Sequence, residues 1–171
     1  IAQKDGASAA AALALSLTKA AAEGETVSFG GAGAFSFNKA ENEISAKISG
    51  TNTSLNGLSG SLYNLAYNSD TQIAGGVNAA LTFGGKLAVG VGGTLAVSDL
   101  HNAVTAELSG GSYRLAGDVI NHAATDNNQI TTAVGASVSA GAKSGLSFDG
   151  ALASSSIKND TKAHIEGANI Q

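Results

Sequence analysis

The chain has 171 residues, enough for one domain with a sizeable core, and carries a formal net charge of −4. Only 13% of its residues are charged and Arg114 is the single arginine, which excludes a nucleic-acid groove built from clustered Lys and Arg. With no Cys it has no disulfide, thiolate metal site or cysteine nucleophile, and with no Met it is expected to be a segment cut from a longer protein.

Near the start, "AAAALALSLTKAAAEG" (9–24) is Ala-rich but interrupted by Lys19 and Glu23. It lacks the basic head and cleavage context of a signal peptide. No run of about 20 apolar residues occurs anywhere, so no membrane span is expected. Within this stretch "LALSL" (13–17) alternates, which predicts a strand with Leu13, Leu15 and Leu17 inward, although the surrounding Ala favours helix on propensity alone.

The next segment, "GAFSFNKAENEISAKISG" (33–50), returns twice in altered form, as "GTLAVSDLHNAVTAELSG" (93–110) and "GALASSSIKNDTKAHIEG" (150–167). Gly33, Gly93 and Gly150 open the blocks and Gly50, Gly110 and Gly167 close them. Asn42, Asn102 and Asn159 coincide, as do Ala46, Ala106 and Ala163, and Ile48, Leu108 and Ile165. Beyond the blocks, "SLYNLAYNSDTQIAGGVNAALTF" (61–83) overlays "DVINHAATDNNQITTAVGASVSA" (118–140) without a gap, at the offset of 57 residues that takes Asn64 to Asn121. The first two blocks stand 60 apart, which implies three extra residues within "TNTSLNGLSG" (51–60). The chain thus reads as one domain, 1–171, holding repeats 1–60, 61–117 and 118–171.

Each block divides into two alternating halves. In 44–49 Ile44, Ala46 and Ile48 alternate with Ser45, Lys47 and Ser49; in 104–109 Val104, Ala106 and Leu108 alternate with Thr105, Glu107 and Ser109. In 161–166 Thr161, Ala163 and Ile165 alternate with Lys162, His164 and Glu166. Period two means strand, with a constant small or aliphatic face inward and a variable face outward. The first halves alternate through Phe35 and Phe37, Leu95 and Val97, and Leu152 and Ser154. Between the halves lies a polar bend, where Asn suits the left-handed conformation of a turn, and the closing Gly permits positive φ at a corner.

Short, evenly spaced strands with many glycines and no Pro predict an all-β, parallel β-solenoid. The simplest division of the 57-residue unit is three stacked coils of about 19 residues. Strand–bend–strand also describes an antiparallel hairpin, but "NKAENE", "SDLHNA" and "SIKNDT" are not the two-residue Asn-Gly loops that hairpins prefer. A transmembrane barrel would need aromatic girdles, and three Tyr and five Phe are too few. Leu55, Leu58, Leu62 and Leu65 fall at helical spacing, yet residues from 61 onward overlay a repeat copy, so the region is read as irregular coil and strand.

Chemistry-bearing patterns are sparse. His101, His122 and His164 have no H-x-x-x-H or His–carboxylate spacing, so no metal is expected. Glu41, Glu43, Asp126 and Asp160 form no cluster with cationic partners on one face. "FGGKLAVGVGG" (83–93) lacks G-K-[ST] and a following helix, so it is not a phosphate loop. No catalytic residue and no cofactor is expected. The residues with a fixed role are the structural positions of the repeat named above.

The run "VGASVSAGAKSGLSFDGALASSSIKNDTKAHIEGANI" resembles the degenerate repeats of very large bacterial exoproteins: filamentous-haemagglutinin-type two-partner-secreted adhesins, autotransporter passengers and leukotoxin-like exoproteins. The motif is roughly G-A-x-A/S-x₅-N-x-T-x-A-x-I-x-G-A, clearest from Gly150 to Ala168. The first block departs from it with Ile44 in place of Thr161, and the second with Gly111 in place of Ala168. The resemblance implies a right-handed β-helix exported to the cell surface or secreted. It would be a non-catalytic rod serving cell adhesion or self-association, its partner a host or neighbouring-cell receptor or glycan, or a sister rod. The alternative is a carbohydrate-binding or carbohydrate-cleaving β-helix, which requires Tyr63, Tyr67 and Tyr113 to converge with carboxylates in one groove.

Overall fold

A computed structural model describes residues 1–19, 27–50 and 54–171. Among them every regular element is a strand: β1 (Ala2–Lys19), β2 (Val27–Ser49), β3 (Ser54–Leu58), β4 (Leu62–Phe83), β5 (Leu87–Ser109), β6 (Ser112–Leu115), β7 (Val119–Ala140), β8 (Ser144–Glu166) and β9 (Asn169–Ile170). Three parallel sheets result, β1-β4-β7, β2-β5-β8 and β3-β6-β9, each taking its strands in sequence order. The fold is the all-β parallel solenoid that the repeat predicts.

Its pitch follows from the register. Asn64 pairs with Asn121 and Asn102 with Asn159, each 57 residues on. One repeat therefore lays down one rung of two long strands and one short strand. The three-way division of the 57 residues is into the sides of a single rung, not into three coils of about 19 stacked on one another. The cause is local: the polar centre of each block does not bend, and residues 38–43 stay in the ladder with residues 98–103. The register also locates the extra residues of the first repeat. The offset falls from 60 at Ser49↔Ser109 to 58 at Ser54↔Ser112 and to 57 at Leu58↔Leu115, the last step at an irregularity between Asn56 and Leu58. They lie inside 51–60, as the sequence predicts, and Leu55, Leu62 and Leu65 sit in strands rather than on a helical turn.

The first two sheets face each other. At one end of the rung lie the tips that join β4 to β5 and β7 to β8. At the other end the chain turns into the third, short sheet. Gly110 and Gly167 take that corner with φ of +67° and +61°, as the closing-Gly reading predicts. A Cβ on Gly110 would also lie 2.7 Å from the Gly50 carbonyl oxygen, so the stacked corner admits no side chain.

The interior changes character along the rung. Near the corner, Ile44 and Ala46 of β2, Val104 and Ala106 of β5 and Ala66 of β4 form an apolar core, with Ala2 and Ala123 packed against it. Toward the tip the inward residues become small or polar: Thr82, Asn78 and Gln72 from β4 meet Thr94, Ala96 and Ser98 from β5, all buried. The sheets approach closely there. A Cβ on Gly76 would stand 2.6 Å from Thr94 Cγ2.

This change corrects several expectations. Leu13, Leu15 and Leu17 are not inward: they are 70–73% exposed, and their neighbours Ala12, Ala14 and Ser16 face the core. In β5 the large aliphatic positions are Leu87, Val89, Val91, Leu95 and Val97, then Leu100, Val104 and Leu108. Their parity switches between Val97 and Leu100, but the strand runs straight through without a register shift. The second set therefore points in and the first set points out. Asn42, Asn102 and Asn159 are likewise not turn residues; they lie inside β2, β5 and β8, as do the block-opening Gly33, Gly93 and Gly150.

Candidate interaction surface

Because successive rungs stack in register, every outward position becomes a row across three strands. On the second sheet Phe29, Val89 and Leu146 form one row, and Gly31, Val91 and Phe148 the next. Then come Gly33, Gly93 and Gly150, followed by Phe35, Leu95 and Leu152. The glycine row is a trough: no atom lies within 4 Å of a Cβ built on Gly93 or Gly150. With the flanking row at Phe35, Leu95 and Leu152 it makes a groove of about 530 Å³. Phe35 and Phe37 stack beside it, ring centroids 6.5 Å apart and planes within 4°. Phe29 is 70% exposed and Phe148 59%.

Past Phe37, Val97 and Ser154 the same face becomes charged. Lys39, Glu41, Glu43 and Lys47 of β2 lie in register with Asp99, His101, Ala103 and Glu107 of β5. Lys39 Nζ lies 2.6 Å from Glu41 Oε1, an exposed pair that raises the lysine and lowers the glutamate pKa through the shared hydrogen bond. Lys47 reaches up one rung to Glu107 at 2.8 Å and holds that carboxyl below its ordinary range, again first through the hydrogen bond. In the third rung Lys162 does the same for Asp160 at 2.7 Å.

Beneath this surface the aligned amides form ladders. Asn42 Nδ2 donates to Asn102 Oδ1 at 2.7 Å and Asn102 Nδ2 to Asn159 Oδ1 at 3.0 Å. Opposite, Asn64 Nδ2 donates to Asn121 Oδ1 at 2.8 Å and also reaches across to the carbonyls of Ala46 and Glu107. Gln72 and Gln129 share Ser98: its hydroxyl donates to Gln72 Oε1 at 2.9 Å and accepts from Gln129 Nε2 at 2.8 Å. Asn42 also donates to the buried Asp70 carboxylate at 2.8 Å and accepts from Lys4 Nζ. These side chains tie rung to rung and sheet to sheet. Asn42, Asn64, Gln72, Ser98 and Asn102 are buried between the sheets, whereas Asn159, on the last rung, is exposed.

The other repeat positions divide plainly. Ala46, Ala106 and Ala163 form one register row and Ile48, Leu108 and Ile165 the next toward the corner; Ala46 and Ala106 lie in the apolar core, whereas Ala163 and Ile165, on the last rung, are exposed. The glycines Gly50, Gly110 and Gly167 sit at the corner; Gly33, Gly93 and Gly150 face outward into the trough. The surface residues that the sequence reading passed over are Phe29, Val91 and Phe148. Their signal was present in the parity switch of "LAVGVGGTLAVSDLHNAV" (87–104).

The aromatics do not converge. Tyr63 lies on the outer face of the first sheet, 53% exposed, with Tyr67 on the same face, and Tyr113 is fully buried in the short third sheet. Among the described residues no group of three or more His, Asp or Glu is placed to hold a metal ion, and no helix is long and apolar enough to cross a membrane. The class defined by fold and surface is a parallel β-solenoid of 57-residue rungs with a half-apolar, half-charged outer face. No family model, no curated protein and no solved structure matches the chain.

Proposed function

We propose that this chain is a non-catalytic structural segment of an exported bacterial exoprotein, a stiff stack whose outer faces serve cell adhesion or self-association. The observation that carries the reading is the in-register stacking of rung on rung. The fixed asparagines, alanines and closing glycines point inward or sit at the corners and the fixed Gly33, Gly93 and Gly150 line the trough, while the charged rows change freely, as at Lys47 and Glu107 or Lys162 and Thr105. In such a stack each rung buries its surface against its neighbours, so stability accumulates with rung number and the outside is free to vary. Broad faces bearing many repeated weak contacts suit multivalent attachment rather than a single pocket. The resemblance to adhesin and leukotoxin-like repeats supports placement at the cell surface or in the secreted fraction.

The test is direct. The purified chain, fluorescently labelled, is applied to host cells, to immobilised matrix proteins and glycans, and to bacteria displaying the same segment. Saturable binding to one of these, without turnover of any glycan, is the expected result. Binding to none of them would reduce the segment to a spacer. Release of sugar products would favour the carbohydrate-cleaving alternative, against which the separated positions of Tyr63 and Tyr113 already weigh.

A further inference from the structure

The apolar half of the second sheet's outer face is too extended to be incidental. From Leu87 to Val97 it runs about 36 Å along the strand and crosses three strands, or roughly 500 Å². Contiguous exposed apolar surface of this size marks an interaction site. Two such faces pressed together bury about 1,000 Å², the threshold for a specific interface.

We propose that this half-face is a homodimer interface, occupied by the same half-face of a second copy; the inference rests on the self-association branch of the reading above. A two-fold axis parallel to the stacking direction, placed between the rows of Val91 and Gly93, reverses the strands and sets each rung against its own copy. Val89 then lies over Leu95 and Leu87 over Val97, so apolar residues meet along β5, while on β8 Leu146 lies over Leu152 and Ser144 over Ser154 at the margins. The glycine trough receives the protruding row of Val91 and Phe148, which is a ridge entering a groove on both sides of the axis. The same operation carries the exposed tip lysine Lys86 over Asp99 at the start of the partner's charged half. Lys39 and Glu41 pair with one another beside it. The charged halves point outward from opposite sides of the dimer and stay in water.

The full chain is studied by sedimentation across low-micromolar to about 100 μM concentrations, alongside binding to phosphatidylcholine vesicles. Dimers are expected. Gly93→Phe adds apolar surface at an open, strand-compatible position, so it leaves the fold intact, which a β-type circular dichroism spectrum checks; yet it fills the trough and is expected to weaken the dimer at least about tenfold. Lys86→Glu is expected to weaken it too, and adding Asp99→Lys to restore it. The proposal is overturned if the wild type stays monomeric at about 100 μM. It is also overturned if Gly93→Phe associates as tightly as wild type, as strand-edge or first-sheet contacts would require, or if the charge swap restores nothing. Monomers that bind vesicles, and bind them more tightly as Gly93→Phe, would assign the face to a lipid surface instead. Each of these failures leaves the cell-binding test of the adhesive reading untouched.

Discussion

Asn42 donates its side-chain amide to Asn102, one rung further along the stack and 60 residues later in the chain, at 2.7 Å. Asn102 passes the same bond on to Asn159 at 3.0 Å and is itself fully buried. In a parallel in-register stack identical amides sit one strand spacing apart, so each serves as both donor and acceptor for its neighbours. Replacing Asn102 by Ala leaves one N–H of the buried Asn42 amide unsatisfied, while the exposed Asn159 keeps its bond from Asn127, and is expected to cost about 1–3 kcal/mol in denaturant unfolding. Asn102→Asp, which cannot donate to Asn159 and adds a buried charge near Asp70, is expected to cost more. Equal or smaller loss for Asp would argue that the ladder is a bystander.

Gly75 and Gly76 are adjacent and point to opposite faces. A Cβ at Gly75 meets nothing within 4 Å, whereas one at Gly76 meets Thr94 Cγ2 at 2.6 Å. Gly75→Ala is therefore expected to be neutral or to stabilise by a few tenths to about 1 kcal/mol. Gly76→Ala must push the sheets apart and is expected to destabilise by about 1–3 kcal/mol. Thermal unfolding of the two variants side by side checks the close approach of the sheets.

Ala106 is fully buried among Ile44, Ala46, Val104 and Ala66. Ala106→Leu adds methylenes to a core closed by a second backbone, with an expected cost of about 1–3 kcal/mol. Thr105→Leu, one residue away on the outer face, is expected to stay within about 0.5 kcal/mol. Similar losses at both positions would mean that the alternation of burial is misassigned.

The Lys47–Glu107 bridge joins the first rung to the second, and it lowers the glutamate pKa through its hydrogen bond. A depressed carboxylate pKa contributes stability that is present above the unfolded-state value and lost as pH falls through the lower native value. Wild type is thus expected to lose stability on acidification more steeply than Glu107→Gln. The difference is small because the pair is solvent-screened, and raised salt shrinks it further. Parallel pH profiles of melting temperature for the two proteins would remove the bridge from the stability of the stack.

Period-two alternation and the in-register repeat made the parallel stack and the inward row of Ala46, Ala106 and Ala163 legible. The three extra residues of the first repeat were readable as well, because each inserted residue must be absorbed between matching ladders. The rung length was not. A polar stretch such as "SDLHNA" has turn propensity, and only the pairing of neighbouring rungs keeps it extended. Once it is extended, strand geometry forbids Val97 and Leu100 from sharing a face, so one apolar set has to point outward. The sequence rule that apolar means inward fails at Leu13, Phe35 and Leu95 for that reason. The asparagines were misread because a local preference for turns and a ladder of stacked amides leave the same mark in one chain.

The broad rung has a consequence for reach. Each circuit of 57 residues advances the stack by one strand spacing, about 4.8 Å, so a thousand residues of this repeat extend it by only about 80 Å. A narrow solenoid turning every 19 or so residues would travel about three times as far. A stack made of such units is a plank rather than a spear: wide, resistant to bending in the plane of its strands, and better shaped to tile a surface than to probe at a distance.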